Sequence, residues 1–168
     1  MSSSALQDSL PSNERVVDLV LTAAYAITGR WIEEYDLWDE SRAKALLDIF
    51  GVRELADRNY GTLSEGERKR VQIARSLMAD PEILLLDEPF AALDVMTIKN
   101  LQNIIVELQR EAGISIILCD HQARDLLACV DTAAIINNGK VVAQGTPSNL
   151  SKDIEAKKAY FGDSFKFN

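Results

Sequence analysis

No apolar run in the 168 residues approaches the roughly 20 needed to cross a bilayer as a helix. The opening stretch, MSSSALQDSL, has neither a basic segment nor an apolar one, so it does not read as a secretory signal. Cysteine is nearly missing. Cys119 and Cys129 are the only two, which suits a reduced compartment better than a disulfide scaffold. Their apolar neighbours read both as small buried hydrophobes. Positive charge is short as well. Eighteen Lys and Arg stand against 26 Asp and Glu, a net charge of −8, which argues against a general nucleic-acid binder. A single nucleotide is not excluded, because local dipoles can hold one. Internal repeats and low-complexity tracts are absent. What is present is ordinary for a globular protein: 47% hydrophobic and 26% charged residues. At this length one domain with a core of useful size is expected.

The first part of the chain reads as helical. Residues 14–29, ERVVDLVLTAAYAITG, predict a helix closed by Gly29. DESRAKALLDIFGV (39–52) predicts a second, with Asp39 or Ser41 as the cap, Leu46, Leu47 and Phe50 on one side, and Gly51 as the stop. A third spans 65–79, with Val71, Ile73, Ala74, Leu77 and Met78 as its apolar positions. The pattern then changes. EILLLD (82–87), bounded by Pro81 and Pro89, predicts a fully buried strand, and ISIILCD (114–120) a second. Between them VMTIKNLQNIIVELQREAG is an amphipathic helix stopped by Gly113. QARDLLACV reads as a helix, TAAIINNGKVVAQG as a hairpin turning at Asn138-Gly139, and PSNLSKDIEAKKAYFG as a polar helical tail. Alternating strands and helices imply a parallel α/β sheet. Such strands need neighbours on both sides, and two are too few for a complete sheet.

The chemistry-bearing residues cluster between Gly61 and Pro89, in GTLSEGERKRVQIARSLMADPEILLLDEP. Ser64 and Glu67 have capping-box spacing. The same helix start is an anion site, with Gly66 permitting close approach, although Glu65 and Glu67 are awkward neighbours for a phosphate. The strand ILLLDEP carries Asp87 and Glu88 out at its C-terminal end, the edge where open α/β sheets bind ligands. Asp87 is placed to hold Mg²⁺, directly or through water. Glu88 is placed to orient or deprotonate a water attacking a phosphoryl group. The plain alternative is an acidic pair at an exposed strand end. His121, the only histidine, follows the second strand at the same edge, where it would bond a terminal phosphate or position the water. Yet the phosphate loop G-x-x-x-x-G-K-[ST] occurs nowhere in the sequence. Gly61 and Gly66 have its glycine spacing but are followed by Glu67-Arg68. Gly139-Lys140 is followed by Val141 and lacks the earlier glycine.

Four motifs, in order, carry a family resemblance over nearly the whole chain. LSEGE (63–67) resembles the LSGGQ signature of ABC-transporter ATPase subunits, with Glu65 and Glu67 in place of glycine and glutamine. ILLLDEP (83–89) resembles the Walker B strand, with Glu88 as catalytic base. AALD (91–94) resembles the D-loop, and His121 the switch histidine. Gln7 resembles the Q-loop glutamine that couples nucleotide to the membrane subunits.

The resemblance implies an α/β fold, a partial P-loop NTPase (ABC) fold in which a helical subdomain precedes the second part of a RecA-like parallel-sheet core. It divides the chain into residues 1–80 (Q-loop region, helical subdomain and signature helix), 81–146 (Walker B to H-loop) and 147–168 (helical tail). It implies ATP and Mg²⁺ as cofactors and ATP hydrolysis driving transport. It assigns nucleotide contacts to Ser64, Glu65, Gly66, Glu67, Asp94 and Gln7, the metal to Asp87, and catalysis to Glu88 and His121. The partners implied are a second ABC ATPase subunit and transmembrane transporter subunits, with no nucleic acid, on the cytoplasmic face of the cell membrane. In this family the Walker A loop, its strand and an antiparallel β-subdomain precede the Q-loop. The chain therefore reads as truncated and inactive alone, or as a non-enzymatic half-site partner or relic interaction domain. Residues 1–89 are similar to stand-alone ABC ATPases of actinobacterial type, and residues 86–168 to the lipopolysaccharide-export ATPases, joining near LLLDEP. RWIEEYDLWDE lies where the family's helical subdomain meets membrane subunits, making Trp31, Tyr35 and Trp38 docking candidates against ordinary subdomain core. The strand carrying Asp87 is expected to leave an open edge that favours oligomers.

Overall fold

Residues 14–29 do not form one helix. In the computed structural model, which describes residues 10–29 and 35–161, helix α1 covers only Val16–Leu21, and all six of its residues are buried. A 3₁₀ turn over Thr22–Tyr25 follows, and the chain reverses at Ala26, left-handed at φ 56°. The stop comes before Gly29 because other groups hold it. Thr22 Oγ1 donates to the Leu19 carbonyl at 2.8 Å. The Arg75 guanidinium donates to the carbonyls of Leu19 (3.0 Å) and Ile27 (2.6 Å). The Leu19 carbonyl, in the last turn of α1, thus has side-chain donors in place of a glycine cap.

Helix α2 spans Leu37–Ile49. Its cap is Asp36, not Asp39 or Ser41: the Asp36 carboxylate accepts from the N–H groups of Trp38 and Asp39, both at 2.8 Å. Asp36 is extended, at φ −83° and ψ 173°, as an N-cap must be, while Asp39 and Ser41 already lie inside the helix. Ala43, Leu47 and Phe50 are buried, and Gly51 turns the chain at φ 61°. Helix α3 spans Glu65–Leu77 and buries Val71, Ile73, Ala74 and Leu77. These three helices pack against one another. Arg42 ties α2 to the end of α3, donating to Asp80 at 2.8 Å and to the Leu77 carbonyl at 3.3 Å.

Strands β1 (Ile83–Asp87) and β2 (Ser115–Cys119) pair in parallel, with Ile83 opposite Ser115 and Asp87 opposite Cys119. Helix α4 (Val95–Glu111) joins them, burying Ile98, Leu101 and Ile105 on one face. The expectation of fully buried strands fails. Leu84 and Leu86 are buried, but Ile83 and Leu85 are 64% and 61% exposed, and Ile117 on β2 is 51% exposed. Successive strand residues point to opposite faces, and in this structure one face is packed and the other bare. Cys119 is exposed and Cys129 half-buried, so the reading of both as buried hydrophobes also fails. The bare face predicts self-association: Ile83→Lys with Leu85→Lys should raise the monomer fraction, as read by light scattering after gel filtration.

The contacts divide the chain into two units, Met1–Cys119 and Asp120–Asn168. In the second, α5 (Ala123–Leu127) precedes an antiparallel hairpin of β3 (Ala133–Asn137) and β4 (Lys140–Gly145). Its turn is Asn138-Gly139, at φ 49° and 72°, the left-handed pair that twists with the strands. Short helices α6 (Pro147–Leu150) and α7 (Ile154–Ala156) lead to a π turn over Lys157–Phe161. Leu127, Ala143, Leu150 and Ala156 form this unit's core. Among the described residues no helix is long and apolar enough to cross a membrane.

Candidate functional site

The start of α3 is built around Ser64. Its hydroxyl accepts from the Glu67 N–H at 3.3 Å, while the Glu67 carboxylate accepts from the Ser64 N–H at 2.7 Å and the Ser64 hydroxyl at 2.8 Å. This reciprocal capping box satisfies donors that α3 would otherwise present. It also means that Glu67 holds the Ser64 donors an incoming phosphate would need. Those bonds, from the backbone first and the hydroxyl second, hold the Glu67 carboxyl below the ordinary glutamate range. The cap therefore stabilises the fold above the unfolded glutamate pKa and is lost as pH falls through the lowered folded value. The Ser64 amide resonance should titrate with a midpoint below the ordinary range, and Glu67→Gln should abolish that titration.

The two glycines before α3 and in its first turn serve close packing. A side chain on Gly61 would meet Ser12 Cβ and the Ser12 carbonyl oxygen, each at 2.8 Å. One on Gly66 would meet Leu93 at 3.0 Å and the Ala92 carbonyl at 3.3 Å. Gly66 thus brings α3 against the turn joining β1 to α4. That turn carries Asp87, Glu88 and Asp94. Asp87 is the last residue of β1. Glu88 is left-handed at φ 49°, as is Ala92 at 59°. Such backbone in a non-glycine residue costs on the order of 1–3 kcal/mol and persists only when its surroundings fix it. The Glu88 N–H donates to the Cys119 carbonyl at 2.6 Å, and Phe90, fully buried, roots the turn.

Asp94 caps α4. Its carboxylate accepts from the N–H groups of Met96 and Thr97, each at 3.0 Å, and from the Thr97 hydroxyl at 2.5 Å. The Thr97 hydroxyl is the main cause that lowers its pKa. Within the first unit, the start of α3 with Ser64, Glu65, Gly66 and Glu67 thus abuts the segment that bears Asp87, Glu88 and Asp94. His121 belongs to the second unit. Its side chain is 67% exposed, with Nδ1 3.7 Å from the Asp120 carboxylate, and its carbonyl accepts a bond from the Tyr160 hydroxyl. Gln7 and Trp31 lie outside the described residues. Trp38 is 82% exposed, and Tyr35 meets Tyr25 edge-on with ring centroids 5.5 Å apart.

Two residues escape sequence reading. Lys69 sits in the run ERKR, which looks like a solvated face, yet it is buried and donates to the carbonyls of Glu88 and Ala91. Asp120 has a fully buried side chain, accepting from the Gln122 N–H at 2.8 Å. Its only signal was its place before the lone histidine. Adjacent carboxylates at a strand end suit a hard divalent cation that keeps several waters. Among the described residues no three metal-binding side chains cluster. The phosphate cradle has no counterpart in this sequence.

The sequence profile of the ABC transporter family matches residues 3–91. The lipopolysaccharide export system ATP-binding protein LptB of Escherichia coli K12 is 39% identical over 127 residues, covering 76% of this chain and 52% of LptB. That match is longer than residues 86–168, so the similarity reaches into the helical part as well. The uncharacterized ABC transporter ATP-binding protein YlmA of Bacillus subtilis 168 is 37% identical over 152 residues, covering 90% of this chain and 57% of YlmA. Among solved structures, cbiO1 from Clostridium perfringens, part of the ABC transporter complex cbiONQ, superposes with a TM-score of 0.72 at 29% identity, over 91% of this chain and 59% of its own. The chain thus spans about half the length of the curated relatives it matches. It folds as part of an ATP-binding cassette and belongs to the ABC transporter family.

Proposed function

We propose that this chain is the Q-loop-to-tail part of an ABC transporter ATP-binding subunit, whose complete form hydrolyses MgATP to drive transport. The observation that carries this reading is the packing of the Ser64 helix start, through Gly66, against the turn bearing Asp87 and Glu88. In this reading Asp87 ligates Mg²⁺, which would neutralise developing phosphate charge. Glu88 accepts a proton from the attacking water. His121 orients that water or the terminal phosphate, Asp94 lines the partner face, and Ser64, with Glu65, Gly66 and Glu67 around it, faces nucleotide held by a second ATPase subunit. Gln7 links nucleotide to transmembrane subunits, and the exposed Trp38, with Trp31 and Tyr35, docks on them. The assembly works at the cytoplasmic face of the membrane. The match to LptB favours lipopolysaccharide as the exported class.

In this reading Ser64 offers a signature half-site to nucleotide held by the phosphate loop of a second subunit. Mixed with a complete relative and MgATP, it should form a 1:1 complex by gel filtration with light scattering, and Ser64→Ala should remove the ATP dependence of that complex. Failure to associate at any nucleotide concentration would sink the half-site reading.

A further inference from the structure

Lys69 is the buried lysine among the described residues, at 6% exposure. Its ammonium sits within α3 and donates to the Glu88 carbonyl and, at 3.4 Å, to that of Ala91. From the opposite direction, the Glu88 N–H donates to the Cys119 carbonyl at 2.6 Å. Both polar ends of a residue held at φ 49° are therefore pinned, one from β2 and one from α3. A buried ammonium is costly unless its protons find acceptors, and two carbonyls of the same turn supply them. Charge-assisted bonds of this kind are among the stronger ones a side chain can make.

We infer that Lys69 is a positioning residue, which fixes the left-handed backbone of Glu88 and so the direction of its carboxylate relative to Ser64. The inference rests on the reading of Glu88 as the proton acceptor. Ser64 and Lys69 ride on one helix, so a shift of Ser64 against a partner's nucleotide reaches the Glu88 turn through the Lys69 ammonium. Gly66 keeps the two bodies close enough for that bond to form. An apolar residue of equal length would fill the space and leave the turn free to relax.

The test uses the full chain and nuclear magnetic resonance, with no nucleotide. In the unaltered protein the Lys69 ammonium gives a protected NH₃⁺ signal, and Glu88 shows the strong intraresidue HN–Hα Overhauser effect of positive φ. Lys69→Met weakens that effect and speeds amide exchange at Ala91 and Leu93 by about tenfold or more, while Val71 to Leu77 on α3 stay within about twofold. Lys69→Arg, which keeps a charged donor, restores both. An unprotected NH₃⁺ in the unaltered chain overturns the proposal, and this result stands even if Lys69→Met fails to fold. So does a folded Lys69→Met protein whose Glu88 signals are unchanged. Because no ATP enters, this inference can fail while the ATPase reading holds, and the reverse.

Discussion

Purified alone, the chain should hydrolyse ATP no faster than buffer. Preceded by a G-x-x-x-x-G-K-[ST] segment taken from a complete relative, it should turn ATP over. In that fusion, Glu88→Gln should cut kcat by about 10²–10⁴-fold, the usual contribution of a general base. The cause is electrostatic. Phosphoryl transfer needs little covalent help from the protein, so positioned charge does most of the work. The backbone cradle and lysine that clamp the transferring group have no counterpart here, while Asp87 and Glu88 stand at the C-terminal end of β1. Glutamine keeps the size of Glu88 and its hydrogen-bonding capacity but cannot take a proton. Steady-state phosphate release decides the matter. Turnover by the unfused chain that disappears in Glu88→Gln would refute the expected inactivity. A fused Glu88→Gln protein at full speed would remove Glu88 from catalysis.

Phe90→Ala should destabilise the first unit by about 3–5 kcal/mol, the range for emptying a large buried aromatic site. Native stability is commonly only about 5–15 kcal/mol, so this one change consumes a large share of it. Phe90 is fully exposed to neither solvent nor relaxation: it is 0% accessible and lies directly after the fully buried Pro89. Its ring anchors a turn in which Glu88 and Ala92 are both left-handed. The loss should appear as a lower urea midpoint with little change in slope. Phe90→Leu should lose far less, because it leaves a smaller cavity. If Phe90→Ala matches the unaltered protein, the turn is held by its hydrogen bonds alone.

Much of this architecture is written in short-range patterns. The Ser64–Glu67 spacing states a capping box, and the box is there. Asn138-Gly139 states a tight hairpin, and the strands turn on it. The signature, Walker B and D-loop resemblances point to a partial ATP-binding cassette, and the fold and the relatives agree. What fails depends on neighbours distant in sequence. ILLLD looks buried on both faces because every residue but the last is apolar; whether each face is covered depends on which elements pack there. Cys119 sits exposed for the same reason. The cap of α2 was expected at Asp39 or Ser41, and the extended backbone of Asp36 puts it there instead. Ala26, not Gly29, is the reversal point, and Arg75, far along the chain, bonds the carbonyls of Leu19 and Ile27 on either side of it. Lys69 is the sharpest case. In the sequence it is one cation in a charged run, and its acceptors belong to another element altogether.

The most direct measurement is ATP turnover by a mixture. One component is a complete relative whose own signature serine has been changed to alanine; the other is this chain, added in increasing amounts. Phosphate release should rise with the chain and saturate near equimolar, and the Ser64→Ala chain should give no rise. Turnover that ignores the added chain, or that rises equally with the Ser64→Ala form, would contradict it.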